Sequence, residues 1–288
     1  QELRRLHAAA YAIELVRELR VVSRTSVAQY RDTKKSMRDI GKELGVTYLL
    51  EGSVRRAGGS VRVTAQLIRA ANDEHVWAQS FNRELKDVFA IQSALATEIA
   101  GALHTSISPQ EQKLIARRPT ENPAAYDLYL KARRTRDSAY NTIPMVQDQV
   151  KLLEAAVVVD PNFALAWGDL AWCHGWMYWF RGGGVDRTPA RLEKAKAAMD
   201  AAVRLAPDTP ETALNLGYHY FFVFRDNARA AEQFEKLLKL QPNNTAARFA
   251  LSFVQGALGQ RAEALANRLL VARQVGASIF GIVGRDGG

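Results

Sequence analysis

The hydrophobic pattern changes its period about two fifths of the way along the chain. Before residue 84, Val61, Val63, Ala65 and Leu67 alternate with polar residues, which is typical of a half-buried strand. Beyond residue 123, apolar residues recur at three- and four-residue spacing, which predicts helices with one buried face. The pattern therefore predicts a small α+β N-terminal domain followed by an all-α array.

Residues 1–107 predict the order helix, strand, helix, three-stranded meander, helix. Glycines at 58 and 59 supply a hairpin turn between the first two meander strands, because glycine reaches positive φ at little cost. The predicted elements are a helix in 1–20, a strand over Arg20–Ser26, a helix over Ser36–Gly45 with Ser36 as N-cap, two strands within Thr47–Ala70, a third at 75–84 and a helix over 86–106.

Three similar phrases in the second half each close at a proline. AAVVVDP, AAVRLAP and KLLKLQP end at Pro161, Pro207 and Pro242, spaced 46 and 35 residues apart. An insertion at 181–189 explains the longer spacing, so the underlying period is close to 34. Because proline cannot continue a helix, each phrase marks the end of a helix, and second helices are expected at about 191–205, 228–240 and 261–272.

A small residue stands ten positions after each proline, at Ala171, Gly217 and Ser252. Only a small side chain lets two helices of one unit approach closely, so this position is expected at their crossing. The second half therefore consists of repeated helix-turn-helix units.

These residues resemble the tetratricopeptide repeat (TPR), over roughly 123–275. The resemblance implies an all-α superhelical array of about four units, the first and last of them degenerate. Arg248 departs from the pattern by replacing a large apolar residue. The residues assigned to repeat packing are Trp167, Leu170, Ala171, Ala202, Pro207, Leu216, Gly217, Ala230, Phe234, Pro242, Leu251 and Ala264.

An aromatic residue stands eleven positions after each proline, at Trp172, Tyr218 and Phe253. The TPR resemblance implies that this column faces a concave groove, where large rigid rings would hold a peptide or a partner helix. Trp176 and Phe222, one helical turn further on, complete the candidate groove. The alternative is that these rings pack between neighbouring units.

The N-terminal phrases VVSRTS, IGKELGVTYLLEGSVRR, VRVTAQLI and HVWAQSFNREL are similar to the TolB-like domain that precedes TPR repeats in many bacterial signalling proteins. The resemblance implies domains at 1–107 and 123–275, a linker at 108–122 and a tail at 276–288. Relatives carry a strand before the first helix, so we expect that the sequence lacks its natural beginning. It also implies an upstream cyclase, kinase or winged-helix domain.

Composition narrows the function. The net charge of +9 is mild, with acids interleaved among bases, which argues against a nucleic-acid footprint. The single cysteine, Cys173, allows no internal disulfide. The apolar run LAWCHGWMYWF at 170–180 is about half of the ~20 residues that a membrane span needs.

Candidate chemistry is sparse. No two of the five histidines stand at the i, i+4 spacing of a zinc-binding helix, and the carboxylates form no cluster. Cys173 precedes His174, but consecutive helical residues point about 100° apart, so a buried thiol is favoured over a nucleophile. RGGG at 181–184 lacks the Lys and Ser/Thr of a phosphate loop. We expect no catalytic residue, metal or cofactor.

The sequence thus predicts a non-catalytic regulatory module that binds a peptide or protein, or its own upstream effector domain. The alternatives are the regulatory part of an adenylate or guanylate cyclase or kinase, or of a winged-helix transcription regulator. A cytoplasmic location is favoured, and a periplasmic one stays open if a membrane segment lies upstream.

Overall fold

A computed structural model describes the chain from residue 33 to residue 284, together with eight scattered positions before residue 33. It leaves out residues 58–59, 85–87, 137–140, 181–185 and 277–279. Most of the predicted helix in 1–20, most of the strand at Arg20–Ser26, the turn glycines and most of the 181–189 insertion lie outside the described residues.

The chain divides into two compact units, residues 1–118 together with 272–288, and residues 119–271. Most described residues are helical, and an antiparallel three-stranded sheet lies on the N-terminal side. The elements of the first unit are α1 (Met37–Leu44), β1 (Tyr48–Ala57), β2 (Ser60–Arg69), β3 (Glu74–Glu84), α2 (Val88–Ala102) and α3 (Pro109–Ala116).

Helix α1 begins and ends at the residues that the sequence predicts. The Ser36 hydroxyl accepts a hydrogen bond from the Asp39 amide at 3.1 Å, satisfying one of the unpaired donors of the first turn. Gly45 ends the helix at a φ of 64°, a left-handed conformation that is strained for any residue with a Cβ.

The three predicted meander strands form the sheet. Strand β1 pairs antiparallel with β2 from Tyr48↔Arg69 to Ala57↔Ser60, and β3 pairs with the other edge of β2. Two segments differ from the expectation. Residues of the expected linker form helix α3, and Phe280–Gly284 in the expected tail forms β4, which pairs parallel with β1.

The first unit has a core cluster on each face of the sheet: a smaller one packs Leu49 against Ile40 and Leu44 of α1, and the larger one lies on the opposite face. The alternating residues Val61, Val63, Ala65 and Leu67 are buried there against α2, whose Leu95 and Ile99 are fully buried. Burying one such aliphatic side chain contributes about 1.5–3 kcal/mol. The period-2 pattern in the sequence therefore identifies the buried face of β2.

The second unit consists of four helix pairs. Each pair has a first helix followed along the chain by a second helix. The first helices are α4 (Pro123–Arg136), α6 (Ala164–Trp179), α8 (Pro210–His219) and α10 (Thr245–Ala257), and the second helices are α5 (Ile143–Val159), α7 (Pro189–Leu205), α9 (Asn227–Leu240) and α11 (Arg261–Gly276), which runs on into the segment grouped with the first unit.

Each of the three closing prolines follows directly on the C-cap residue of a second helix. These C-caps are Asp160, Ala206 and Gln241. Proline also occurs in the first turn of several helices, where its missing N–H costs nothing; α8, for example, begins at Pro210 after the N-cap Thr209. Proline therefore separates the helices of the array.

Gly217 lies where α8 approaches α9 most closely. A Cβ added at Gly217 would stand 2.5 Å from the Phe234 ring, well inside van der Waals contact. Of the residues assigned to repeat packing, the structure buries Leu170, Ala171, Ala202, Gly217, Ala230, Phe234, Leu251 and Ala264.

The other assigned residues are less covered. Leu216 and Pro242 are half-buried and Pro207 is exposed. Trp167 is also half-buried, because its indole N–H donates to the Pro161 carbonyl at 2.8 Å and so ties the ring to the turn.

Candidate functional site

Four of the five candidate groove residues form one aromatic cluster. Trp172 and Trp176 stack along α6 with their ring centroids 6.3 Å apart. Trp172 meets Tyr218 and Phe222 edge-on, each at 6.3 Å, and Tyr218 stacks on Phe222 at 5.4 Å. These spacings and angles are those that aromatic quadrupoles favour.

The burial of this cluster differs from what a groove requires. Trp172, Trp176 and Phe222 are buried, and Tyr218 is half-buried. The reason is that the first helices α6 and α8 pack directly against each other, so facing side chains cover one another. These rings lie between neighbouring helix pairs and are core in the described part of the chain, which is the alternative that the sequence left open.

A π-helix at Tyr220–Phe224 continues α8, and nothing in the sequence reasoning identified it. The extra residue per turn widens the helix at Phe222, whose ring contacts Trp179 at 5.2 Å. The segment ends at Arg225, whose φ is 57° and whose guanidinium lies 5.9 Å from the centroid of the Trp179 ring. A run of four aromatic residues among five, at 220–224, is the only sequence signal for this feature.

A polar cluster links three first helices within this unit. Asp169 on α6 is only 3% exposed and lies 3.6 Å from Arg133 of α4. The Asn215 amide of α8 donates to the other Asp169 oxygen at 3.3 Å. Sequence reasoning missed this cluster, although Asp169 and Asn215 both stand eight residues after a closing proline, as polar residues in apolar helices.

The fifth candidate residue, Phe253, lies on α10 and is 46% exposed. It meets Phe249, which is 48% exposed, edge-on at 4.8 Å. The guanidinium carbon of Arg268 lies 5.3 Å from the Phe253 centroid, within cation–π distance. We call Phe249 and Phe253 the terminal aromatic pair.

The last helix pair also exposes aliphatic side chains. Leu265, Leu269 and Leu270 of α11 are each at least two fifths exposed. Large exposed apolar side chains in proximity mark surfaces at which proteins interact.

Cys173 and His174 have separate partners. The Cys173 thiol is buried and donates to the Gln149 side-chain oxygen at 3.4 Å. His174 Nδ1 lies 2.7 Å from the Arg191 guanidinium, and since arginine only donates, Nδ1 accepts. Burial, followed by the positive charge of Arg191, lowers the pKa of His174 to about 4. His174 therefore ties α6 to α7 through Arg191, while the neighbouring Cys173 thiol is paired with Gln149.

The described residues contain no group of three or more His, Cys, Asp or Glu side chains arranged to hold a metal ion. Among those same residues, no helix combines the length and apolarity that crossing a bilayer requires.

No model of a known protein family matches the chain. It is 32% identical over 151 residues to a Rhizobium meliloti (strain 1021) protein named "Putative adenylate cyclase 3", and the match covers 52% of this chain. The matched segment spans 25% of the length of that curated relative.

Two solved structures also resemble the fold. One is a thermophilic TPR protein from Thermus thermophilus, with 18% identity and a TM-score of 0.42, covering 66% of this chain and 87% of that one. The other is MamA, with 17% identity and a TM-score of 0.35, covering 66% of this chain and 90% of that one.

Proposed function

We propose that this chain is a non-catalytic protein–protein interaction module of a bacterial signalling protein, built from a TolB-like unit and a TPR array. The array binds a peptide or protein partner through its first helices. The terminal aromatic pair is the observation that carries the proposal, because Phe253 belongs to the predicted groove column and its ring is half-exposed.

The terminal aromatic pair has the properties of a binding anchor. Two phenyl rings held edge-on offer a large apolar area at low entropic cost, since each has only two side-chain torsions. Arg268, beside Phe253, adds a positive charge at the rim. The complementary partner presents an apolar side chain to the rings and a carboxylate to Arg268.

The partner does not contact the buried part of the predicted groove. Trp172, Trp176 and Phe222 support the surface by fixing α6 against α8. Substituting them would disturb the packing of the array and would not test binding. A test of binding therefore uses exposed residues.

A double variant, Phe249→Ala with Phe253→Ala, tests the proposal. Phe224→Ala is the matched control, because Phe224 is 53% exposed and belongs to a different helix. Each 288-residue chain is used as bait in a bacterial lysate, and captured proteins are quantified by mass spectrometry.

The proposal expects a partner captured by the wild type and by Phe224→Ala to be lost from the double variant, with the far-ultraviolet circular dichroism unchanged. Truncating a central anchor costs about 2 kcal/mol or more of binding free energy, a loss of roughly thirtyfold in affinity. Undiminished capture by the folded double variant would refute the assignment of the terminal aromatic pair.

A second candidate is that the chain is the regulatory part of an adenylate cyclase. The 32% identity over 151 residues to the Rhizobium meliloti protein supports it. An antibody against this chain would isolate the native protein from cells, and cyclic AMP formation from ATP would then be measured. Activity in the native protein together with none in the 288-residue chain is expected, and an inactive native protein would exclude this candidate.

A further inference from the structure

The sheet face opposite α2 carries the Leu49 core cluster at one end and polar side chains along the rest of β1 and β2. Residues paired across antiparallel strands share a face, so the register places Ser53, Thr64 and Ser80 in one row across β1, β2 and β3. The next row on the same face begins with Arg55 and Arg62, directly opposite each other. Three hydroxyl side chains and two guanidinium groups therefore lie in adjacent rows.

These five side chains line a depression of about 340 Å³. All five can donate hydrogen bonds, and the lining includes no carboxylate. The Thr64 and Ser80 hydroxyl oxygens are 3.3 Å apart and hydrogen-bond to each other, which leaves one of the two hydroxyl hydrogens to donate to a ligand. The depression is open to solvent, because Arg55, Arg62, Thr64 and Ser80 are exposed and only Ser53 is half-buried.

The charge arrangement favours an anion. Arg55 and Arg62 stand directly opposite each other on neighbouring strands, so two guanidinium groups lie side by side next to the hydroxyl row. Arg55 also makes other contacts, so Arg62 and the hydroxyl row are the donors on which binding depends.

Two carboxylates occur on the same face, and neither lines the depression. Glu51 is buried and accepts a hydrogen bond from Gln66. Glu84 stands opposite Ser60, one row beyond the arginines. The depression therefore combines two positive charges with hydroxyl donors and has no negative charge in its lining.

We propose that this depression binds the phosphoryl group of a small phosphorylated molecule. A phosphoryl group accepts several hydrogen bonds and matches the planar fork of an arginine, while the hydroxyl row supplies shorter donors from one side. The N-terminal unit is then a ligand-binding unit, and this site is independent of the partner proposed for the helical array.

The test is a titration of the 288-residue chain, followed through the backbone amide resonances of β1–β3, with glycerol 3-phosphate and inorganic phosphate as separate probes. The variants are Arg62→Gln and Thr64→Val. Arg83→Gln is the matched control, because this substitution removes the same charge from the opposite face of the sheet. Arg83 is exposed there and pairs with Val61.

We expect saturable binding of glycerol 3-phosphate that is weakened about tenfold or more by Arg62→Gln, the loss expected for a charge-assisted hydrogen bond. Thr64→Val is expected to weaken binding severalfold, and Arg83→Gln to change it less than twofold. Equal weakening by Arg62→Gln and Arg83→Gln would overturn the site in favour of general charge attraction.

Vesicles containing phosphatidic acid distinguish a soluble ligand from a lipid headgroup. Binding to vesicles without binding to either soluble phosphate would overturn the proposed small molecule. Absence of saturable binding of both soluble probes at concentrations up to about 10 mM, the weak limit of ordinary ligand sites, would likewise overturn it.

Discussion

Replacing Gly217 by alanine tests the close approach of α8 to α9. The new Cβ would lie 2.5, 2.8 and 2.8 Å from three atoms of the Phe234 ring. Ordinary carbon–carbon contacts are about 3.5–4.0 Å, so the ring would need to retreat by about 1 Å. Phe234 is 0% exposed and meets Tyr218 edge-on at 5.3 Å, so neighbouring side chains oppose this movement of the ring.

Two opposing effects set the magnitude. Alanine favours a helix over glycine by up to about 1 kcal/mol. Overpacking a buried site costs about 1–3 kcal/mol, and three simultaneous close contacts place Gly217→Ala at the upper end. The net expectation is a loss of about 2 kcal/mol in the free energy of unfolding.

Gly256→Ala is the matched control. Gly256 lies in α10, is exposed, and would meet nothing within 4 Å of an added Cβ. Only the helix propensity acts there, so this variant is expected to gain about 0.5–1 kcal/mol. The same chemical change should therefore have opposite signs at the two positions.

Urea denaturation followed by tryptophan fluorescence measures both variants. Four of the five tryptophans lie in α6, so this signal reports mainly on the helical array. The double variant Gly217→Ala with Phe234→Leu is expected to recover part of the loss, because leucine is smaller than the ring. A Gly217→Ala chain as stable as Gly256→Ala would refute the close crossing.

Burial raises the pKa of Glu211 to about 7, whereas the unfolded chain titrates near 4.5, so the native state holds an extra proton between these values and stability falls as pH rises through them. Glu211→Gln is expected to raise the free energy of unfolding by about 3 kcal/mol at pH 8 and to leave it unchanged at about pH 4. Urea denaturation measures this change, with Glu232→Gln at an exposed position as the control. Equal changes in the free energy of unfolding at both pH values would contradict the expectation. Asp169→Ala removes an acceptor of Asn215 and the charge beside Arg133. Because Arg133 is one third exposed, water partly screens its unpaired charge, and we expect the free energy of unfolding to fall by about 2 kcal/mol in the same denaturation experiment. Unchanged stability would show that Asp169 is not coupled to its neighbours.

The repeat pattern was readable because it depends on local rules. Each of the three closing prolines follows the end of a second helix, and the small residue ten positions after Pro207, Gly217, lies at a close helix crossing. The alternation along β2 likewise identified which side chains are buried. Such features depend on backbone geometry and side-chain size alone.

The sequence did not predict which residues of the candidate site are exposed. An aromatic residue eleven positions after a proline is equally suited to a groove and to a contact between units. Trp172 is covered because α8 packs against α6, whereas the structure leaves Phe253 half-exposed, although both occupy the same repeat position. Exposure depends on the neighbouring helix, which the offset does not specify.

The sequence by itself determined the helix pairs and the three strands of the meander. Only the tertiary structure decided which aromatic rings are buried, that Asp169 joins Arg133 and Asn215, and that Arg55 and Arg62 share a face with three hydroxyls. Local patterns specify elements because hydrogen bonding and packing periodicity act over a few residues. Sites depend on which distant residues meet, and that is set by how the elements pack.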